Sequence, residues 1–234
     1  MNKYFTPKFL KNRSPIGGLT GLCSLSPVFF KKGNELMDLA KNEIENNPNN
    51  LFPDKSDYVF PAVIMYFSSF EAYMNENLAF SRWLAESDGK YHNPSAIPTI
   101  DALREMHAPY RKFKDKVKGF YKVYDKDQNG INTDSELYQS IIALNDLRNS
   151  LIHFCPEMIE DTQWPDRIKQ AFSKSKPKSE ENTHWVVIFS CINVGDWAHD
   201  TIKEAIVKFV EISGAMNPFD PSEGGYWEKK NFSQ

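Results

Sequence analysis

The clearest pattern along the chain is a recurrence of large apolar residues at spacings of three and four. From about Asp57, Val63, Tyr66, Phe67, Phe70, Tyr73 and Met74 repeat in this way and continue through Leu78 and Trp83, which predicts a long helix. Its apolar arc is wider than one narrow stripe, as expected of a helix central in a bundle. A shorter helix is predicted over 34–46, with Leu36, Leu39, Ala40 and Ile44 on one face, and the turn-rich NNPNNLFPD ends it. After the loop SDGKYHNPSAIP, Thr99 or Asp101 is placed to cap a helix towards Tyr124, which Pro109 kinks or divides. Leu137, Ile141, Leu144, Leu147 and Leu151 mark a further helix from Thr133 or Asp134 to Phe154, stopped by Pro156. A weaker helix is expected over 164–173 and a final amphipathic one over 195–212. Only HWVVIFSCI, residues 184–192, reads as a strand, being short, β-branched and aromatic.

These elements predict a mainly α protein, an up-down helical bundle with one short strand or hairpin near 184–192. Residues 1–33, rich in Pro, Gly, Ser and Lys, read as an irregular arm held through Phe29 and Phe30. The helical domain is expected over 34–213, and 214–234 as a loose tail. No internal repeat is visible.

Composition adds exclusions. The 234 residues are 41% hydrophobic and 25% charged, ordinary for a globular core, and the formal net charge of −3 announces neither a nucleic-acid nor a membrane partner for the whole molecule. Any basic surface must be local. Cys23, Cys155 and Cys191 are odd in number and lack CxxC spacing, which argues against a disulfide framework and fits a reducing compartment. The first residues lack the apolar run of a signal peptide, and the longest apolar stretch, 58–70, is broken by Pro61, Ser68 and Ser69. A cytoplasmic protein without a membrane partner is the expectation.

The candidate chemistry lies on the helix ending at Phe154. Asn145, Asn149 and His153 are spaced i, i+4, i+8 and share an edge, with Arg148 beside Asn149. Arg148 and His153 are about 140° apart on an ideal helix, so they meet only if the arginine bends across or the helix distorts. Together they offer a permanent cation and an acid–base group, a pairing suited to a phosphodiester. An Arg and a His near a helix end also simply offset the carboxyl-end dipole.

The string LNDLRNSLIHF resembles the signature of the HEPN superfamily, Arg148 and Asn149 followed by His153 late in a bundle helix. MYFSSFEAYMNENL, with Glu71 after a run of aromatics, is similar to the helix preceding that signature in several HEPN groups. The resemblance covers roughly residues 57–155. It implies a metal-independent endoribonuclease that works as a homodimer, with two Arg–His helices forming one cleft, of the kind found among toxins and phage-defence proteins. By that resemblance His153 is the general acid or base, Arg148 stabilises phosphate charge, Asn149 positions the phosphate or the histidine, and Glu71 orients a member of the site. RNA would be the substrate, a 2′,3′-cyclic phosphate the product, and an antitoxin protein a partner; no cofactor is required. Other HEPN members are inactive nucleotide-, nucleic-acid- or protein-binding modules, and that alternative stays open.

A second constellation stands upstream. Asp125-Lys-Asp127-Gln-Asn129-Gly130-Ile-Asn-Thr-Asp-Ser-Glu136 satisfies D-x-[DN]-x-[DN]-G-x5-E and resembles an EF-hand loop for Ca²⁺. Asn132 stands at the position that is usually aliphatic, and no second hand accompanies it. A polar turn capping the next helix is the alternative.

Between Arg104 and Lys122 lie seven basic residues against Glu105 and Asp115. Arg111, Lys112, Lys114 and Lys118, interleaved with Tyr110, Phe113, Phe120 and Tyr121, suggest phosphate contacts and base stacking with RNA. The same run fits a solvated helix face with its aromatics in the core. Asp196 and His199, three apart, could chelate a metal but lack an evident third ligand.

Overall fold

A computed structural model describes residues 24–47, 54–86, 112–153, 166–177, 184–215 and 217–220, apart from the side chains of 82–86 and 167. The described chain is mainly helical: α1 (Ser26–Asn46), α2 (Val59–Glu86), α3 (Phe113–Tyr124), α4 (Glu136–Ile152), α5 (Asp166–Ser175), α6 (Trp185–Phe189) and α7 (Ile192–Ser213). The expected caps Thr99 and Asp101, and Pro109, lie outside the described residues, as do most of the N-terminal arm and most of the tail. Among the described residues no helix is long and apolar enough to cross a membrane.

Two expectations are corrected. The segment expected as a strand is helical over α6, and among the described residues the only β pairing is an isolated antiparallel bridge between Lys55 and Cys191. Ser56 N–H donates to Ser190 O at 3.1 Å and Ile192 N–H to Asp54 O at 3.1 Å, and with no ladder to extend this bridge the apolar run buries Trp185, Ile188 and Phe189 at helical spacing instead. The second correction is that α1 begins at Ser26, eight residues before the predicted start at Asn34, so the last part of the supposed arm is helix. Gly33 disguised this continuity. A Cβ there would come within 2.5 Å of Tyr66 Cε1, so the glycine marks close packing rather than a break.

The chain divides into two compact units, residues 1–27, 71–133 and 206–234 in one and residues 28–70 and 134–205 in the other. The first has an aromatic centre. Phe120 stacks on Phe209 with centroids 4.3 Å apart, and Tyr73 and Tyr124 meet the same ring edge-on at 5.6 and 5.0 Å. Tyr124 Oη donates to Asn77 O at 2.9 Å and shares a 2.6 Å hydrogen bond with Ser81 Oγ. Burial pushes the Tyr73 and Tyr124 hydroxyls far above the ordinary phenol range. In the same unit, the Glu76 carboxylate of α2 accepts hydrogen bonds from Ser24 Oγ (2.8 Å), Leu25 N (2.6 Å), Ser26 N (3.0 Å) and Ser26 Oγ (2.6 Å). Amides at the start of α1, which have no carbonyl within their own helix, thereby gain a charged acceptor.

In the second unit α4 packs against α5. Its buried side chains, including Leu137, Ile141, Leu144 and Leu147, follow the predicted stripe. Ser135, rather than Thr133 or Asp134, caps α4, its hydroxyl accepting from Tyr138 N at 3.2 Å. Phe30, Tyr66 and His199 form a ring cluster with centroids 5.2–5.4 Å apart, and Tyr66 Oη donates to Asn34 Oδ1 at 2.8 Å. Burial first, then the carboxylates of Asp196, Asp38 and Asp200, hold the Tyr66 hydroxyl well above its usual range. These interactions bind α1, residues 59–70 of α2 and residues 192–205 of α7 into one core.

Candidate functional site

The last turn of α4 gathers three of the four predicted catalytic residues. Arg148 Nη1 donates to Asn149 Oδ1 at 2.9 Å, so the two side chains form a joined pair. The guanidinium carbon also lies 5.5 Å from the ring centroid of Phe67, a fully buried residue of α2. Arg148 and Asn149 are half-buried, whereas His153 is exposed. His153 is not inside the helix but caps it, with φ −101° and ψ 31°, and its backbone N–H donates to Asn149 O at 3.0 Å. A cation, an amide and an exposed imidazole therefore share one helix end, the first two fixed by contacts and the third at a chain turn.

Of the other residues on that edge, Asn145 Nδ2 donates to the neighbouring Asp146 Oδ1 at 3.1 Å. Ser150 is buried and donates to Asp146 O at 2.8 Å, so its hydroxyl serves the helix. Ile152, which precedes His153, is 45% exposed. Glu71 is half-buried on α2 and belongs to the first unit, whereas Arg148, Asn149 and His153 belong to the second. Phe67, which supports the guanidinium, gave no sign in the sequence beyond its place in the apolar repeat of α2.

The loop before α4 is a tight coil. Gln128 (φ 55°) and Gly130 (φ 67°) take left-handed conformations, the second as the calcium-loop pattern expects at its sixth position. Asp125 Oδ1 accepts from Asp127 N at 3.0 Å and Oδ2 from Gly130 N at 2.7 Å. The amides of Gly130, Asp127 and Asn129 hold the Asp125 carboxyl below its ordinary range. Asp127 and Asn129 are exposed. Glu136, the twelfth loop position, is ion-paired at 2.6 Å with Lys174 of α5, whose side chain is only 11% exposed. Among the described residues no three His, Cys, Asp or Glu side chains are grouped to hold a metal. Asp196 and His199 take separate partners: Lys41 Nζ lies 2.9 Å from Asp196 Oδ1, and His199 Nδ1 lies 2.8 Å from Asp200 Oδ1.

Of the predicted basic surface, Lys112, Lys114 and Lys118 are exposed at and along α3, while Arg111 lies outside the described residues. Tyr110 also lies outside the described residues, and Phe113 is half-buried. Phe120 and Tyr121 are buried, so these two rings are core residues rather than stacking platforms. Comparison with family models, curated proteins and solved structures returns no match for this chain.

Proposed function

We propose that the protein is a HEPN-like endoribonuclease that needs no metal for cleavage and works as a homodimer, of the toxin or phage-defence kind. The observation that supports this most directly is the helix end itself: Arg148 joined to Asn149 at 2.9 Å, with exposed His153 tethered to Asn149 through its backbone. In this reading two copies of that helix end form one cleft. An imidazole takes the proton of the ribose 2′-hydroxyl, the 2′-oxygen attacks phosphorus, and the 5′-oxygen departs with a proton, leaving a 2′,3′-cyclic phosphate. Arg148, with few alternative positions between Asn149 and Phe67, stabilises the negative charge on the non-bridging oxygens. The test is incubation of purified protein with single-stranded and structured RNA beside His153→Ala and Arg148→Met. Cleavage by the parent and loss in both variants is the expected result. Equal cleavage by parent and His153→Ala refutes the assignment, and RNA binding without cleavage by any form points to an inactive binding module.

A second reading is favoured by the backbone of the coil before α4, where left-handed Gly130 and amide-bonded Asp125 follow the calcium-loop pattern. Here Asp125, Asp127, Asn129 and Glu136 supply oxygen to Ca²⁺, and Lys174 competes for Glu136. Calorimetric titration with Ca²⁺ decides it: Lys174→Met should tighten binding and Glu136→Ala should weaken it. No heat at millimolar metal in any form rejects this reading.

A further inference from the structure

Lys114, Lys118 and Lys122 of α3 are all exposed, and they are spaced i, i+4, i+8. Such positions fall within a sector of about 80° and step about 6 Å along the axis, making a line of three ammonium groups about 12 Å long. Lys112 at the N-cap and Lys126 after the C-cap are exposed at its two ends. The segment from Lys112 to Lys126 holds six lysines against Asp115 and Asp125, in a chain whose net charge is −3. Among the described residues neither Lys118 nor Lys122 enters an ion pair. The apolar side of the helix, Val117, Phe120 and Tyr121, is buried.

We infer that this lysine line is a docking surface for the phosphate backbone of single-stranded RNA, held by charge alone. Its spacing suits successive phosphates of an extended strand, and lysine is a point charge that neutralises a phosphate without selecting a base. Phe120 and Tyr121 are committed to the core and supply no base stacking, and contacts from lysine to phosphate are indifferent to sequence and steeply dependent on salt. That the polyanion is RNA rests on the nuclease reading; the existence of a polyanion surface does not.

The experiment measures binding of labelled oligouridylate and of a mixed-sequence RNA by fluorescence anisotropy across a salt series. All proteins in the binding series carry His153→Ala so that the RNA survives, and cleavage is read separately on the parent with His153 intact. The two RNAs should bind alike, and log Kd should rise with log salt. Charge reversal at Lys114, Lys118 and Lys122 should weaken binding at least about tenfold and lower the salt slope by about 2, the value for three phosphates on a single strand. The neutral Lys→Gln triple variant, checked for an unchanged melting temperature, should lose the same slope without reversed charge. Unchanged affinity and slope in both triple variants overturns the inference, as does binding to vesicles of anionic lipid with none to RNA. Lysine-dependent RNA binding by a parent protein that never cleaves keeps the docking surface and removes the nuclease. Cleavage that needs His153 but binding indifferent to the lysines does the reverse.

Discussion

The guanidinium of Arg148 sits over the buried ring of Phe67, 5.5 Å from its centroid, and donates a hydrogen bond to Asn149 Oδ1. An arginine at a helix end ordinarily samples many rotamers, and here two neighbours remove most of that freedom. Phe67→Leu keeps the apolar volume and removes the aromatic face. In a double-mutant cycle with Arg148→Met, urea denaturation should give a coupling of about 0.5–1 kcal/mol. Zero coupling would mean that ring and guanidinium are merely adjacent.

Gly33 and Gly195 are both helical glycines in contact with a neighbour, yet they should respond differently to alanine. At Gly33 the new Cβ meets the Tyr66 ring, which is fully buried and fixed by Phe30, His199 and Asn34. At Gly195 it meets the end of Met37, a flexible side chain. Gly33→Ala should cost about 1–3 kcal/mol, and Gly195→Ala less, since helix propensity returns up to about 1 kcal/mol. Melting curves of the two variants rank them; the opposite order would count against the rigid ring cluster.

Asp125 makes stability depend on acid. Its folded carboxyl is held below the ordinary value of 3.8 by the amides of Gly130, Asp127 and Asn129. A depressed folded value means the contribution is full above 3.8 and is lost as pH falls through the lower folded value. Melting temperature followed against pH should show parent and Asp125→Asn separated at neutral pH and converging in acid. A constant gap would show that the carboxylate charge is not what the loop uses.

The alkaline side belongs to Tyr124. Burial raises its hydroxyl above the ordinary value of 10.0, so its contribution is full below that pH and declines as pH rises towards the folded value. Tyr124→Phe forfeits the bonds to Asn77 O and Ser81, costing about 1 kcal/mol near neutrality. It should also lose stability less steeply above pH 10 than the parent, and chemical denaturation across that range reads both effects.

Much of this architecture was legible from periodicity, because α2, α4 and α7 bury long stripes that no other element type could hide. The failures have physical causes. Residues 185–189 satisfy strand and helix periods at once, and only the lack of a pairing partner decides between them. Gly33 looked like a boundary because the sequence does not display Tyr66 lying against it. At the candidate site, the identities of Arg148, Asn149 and His153 were readable, but the support from Phe67 and the turn at His153 depend on packing and chain termination. Lys174 reaching Glu136 was equally hidden, since a lysine in a polar stretch carries no mark of its partner.

The clamp at Glu76 has a consequence for the order in which the chain assembles. Ser24 and Ser26 are 52 and 50 residues from the carboxylate that receives them. In a chain made from its N-terminus, the first helix emerges well before its acceptor has been synthesised, so its leading turn frays until the second helix arrives. Completion of α1 is therefore a long-range event, of the kind that slows folding. Glu76→Ala, by removing the acceptor for four donors, should cost about 1–2 kcal/mol in urea denaturation and let the amides of residues 25 and 26 exchange with solvent ahead of the rest of α1. A fusion or truncation made just before Ser24 would thus act on a tertiary joint, even though it falls in sequence that reads as an irregular arm.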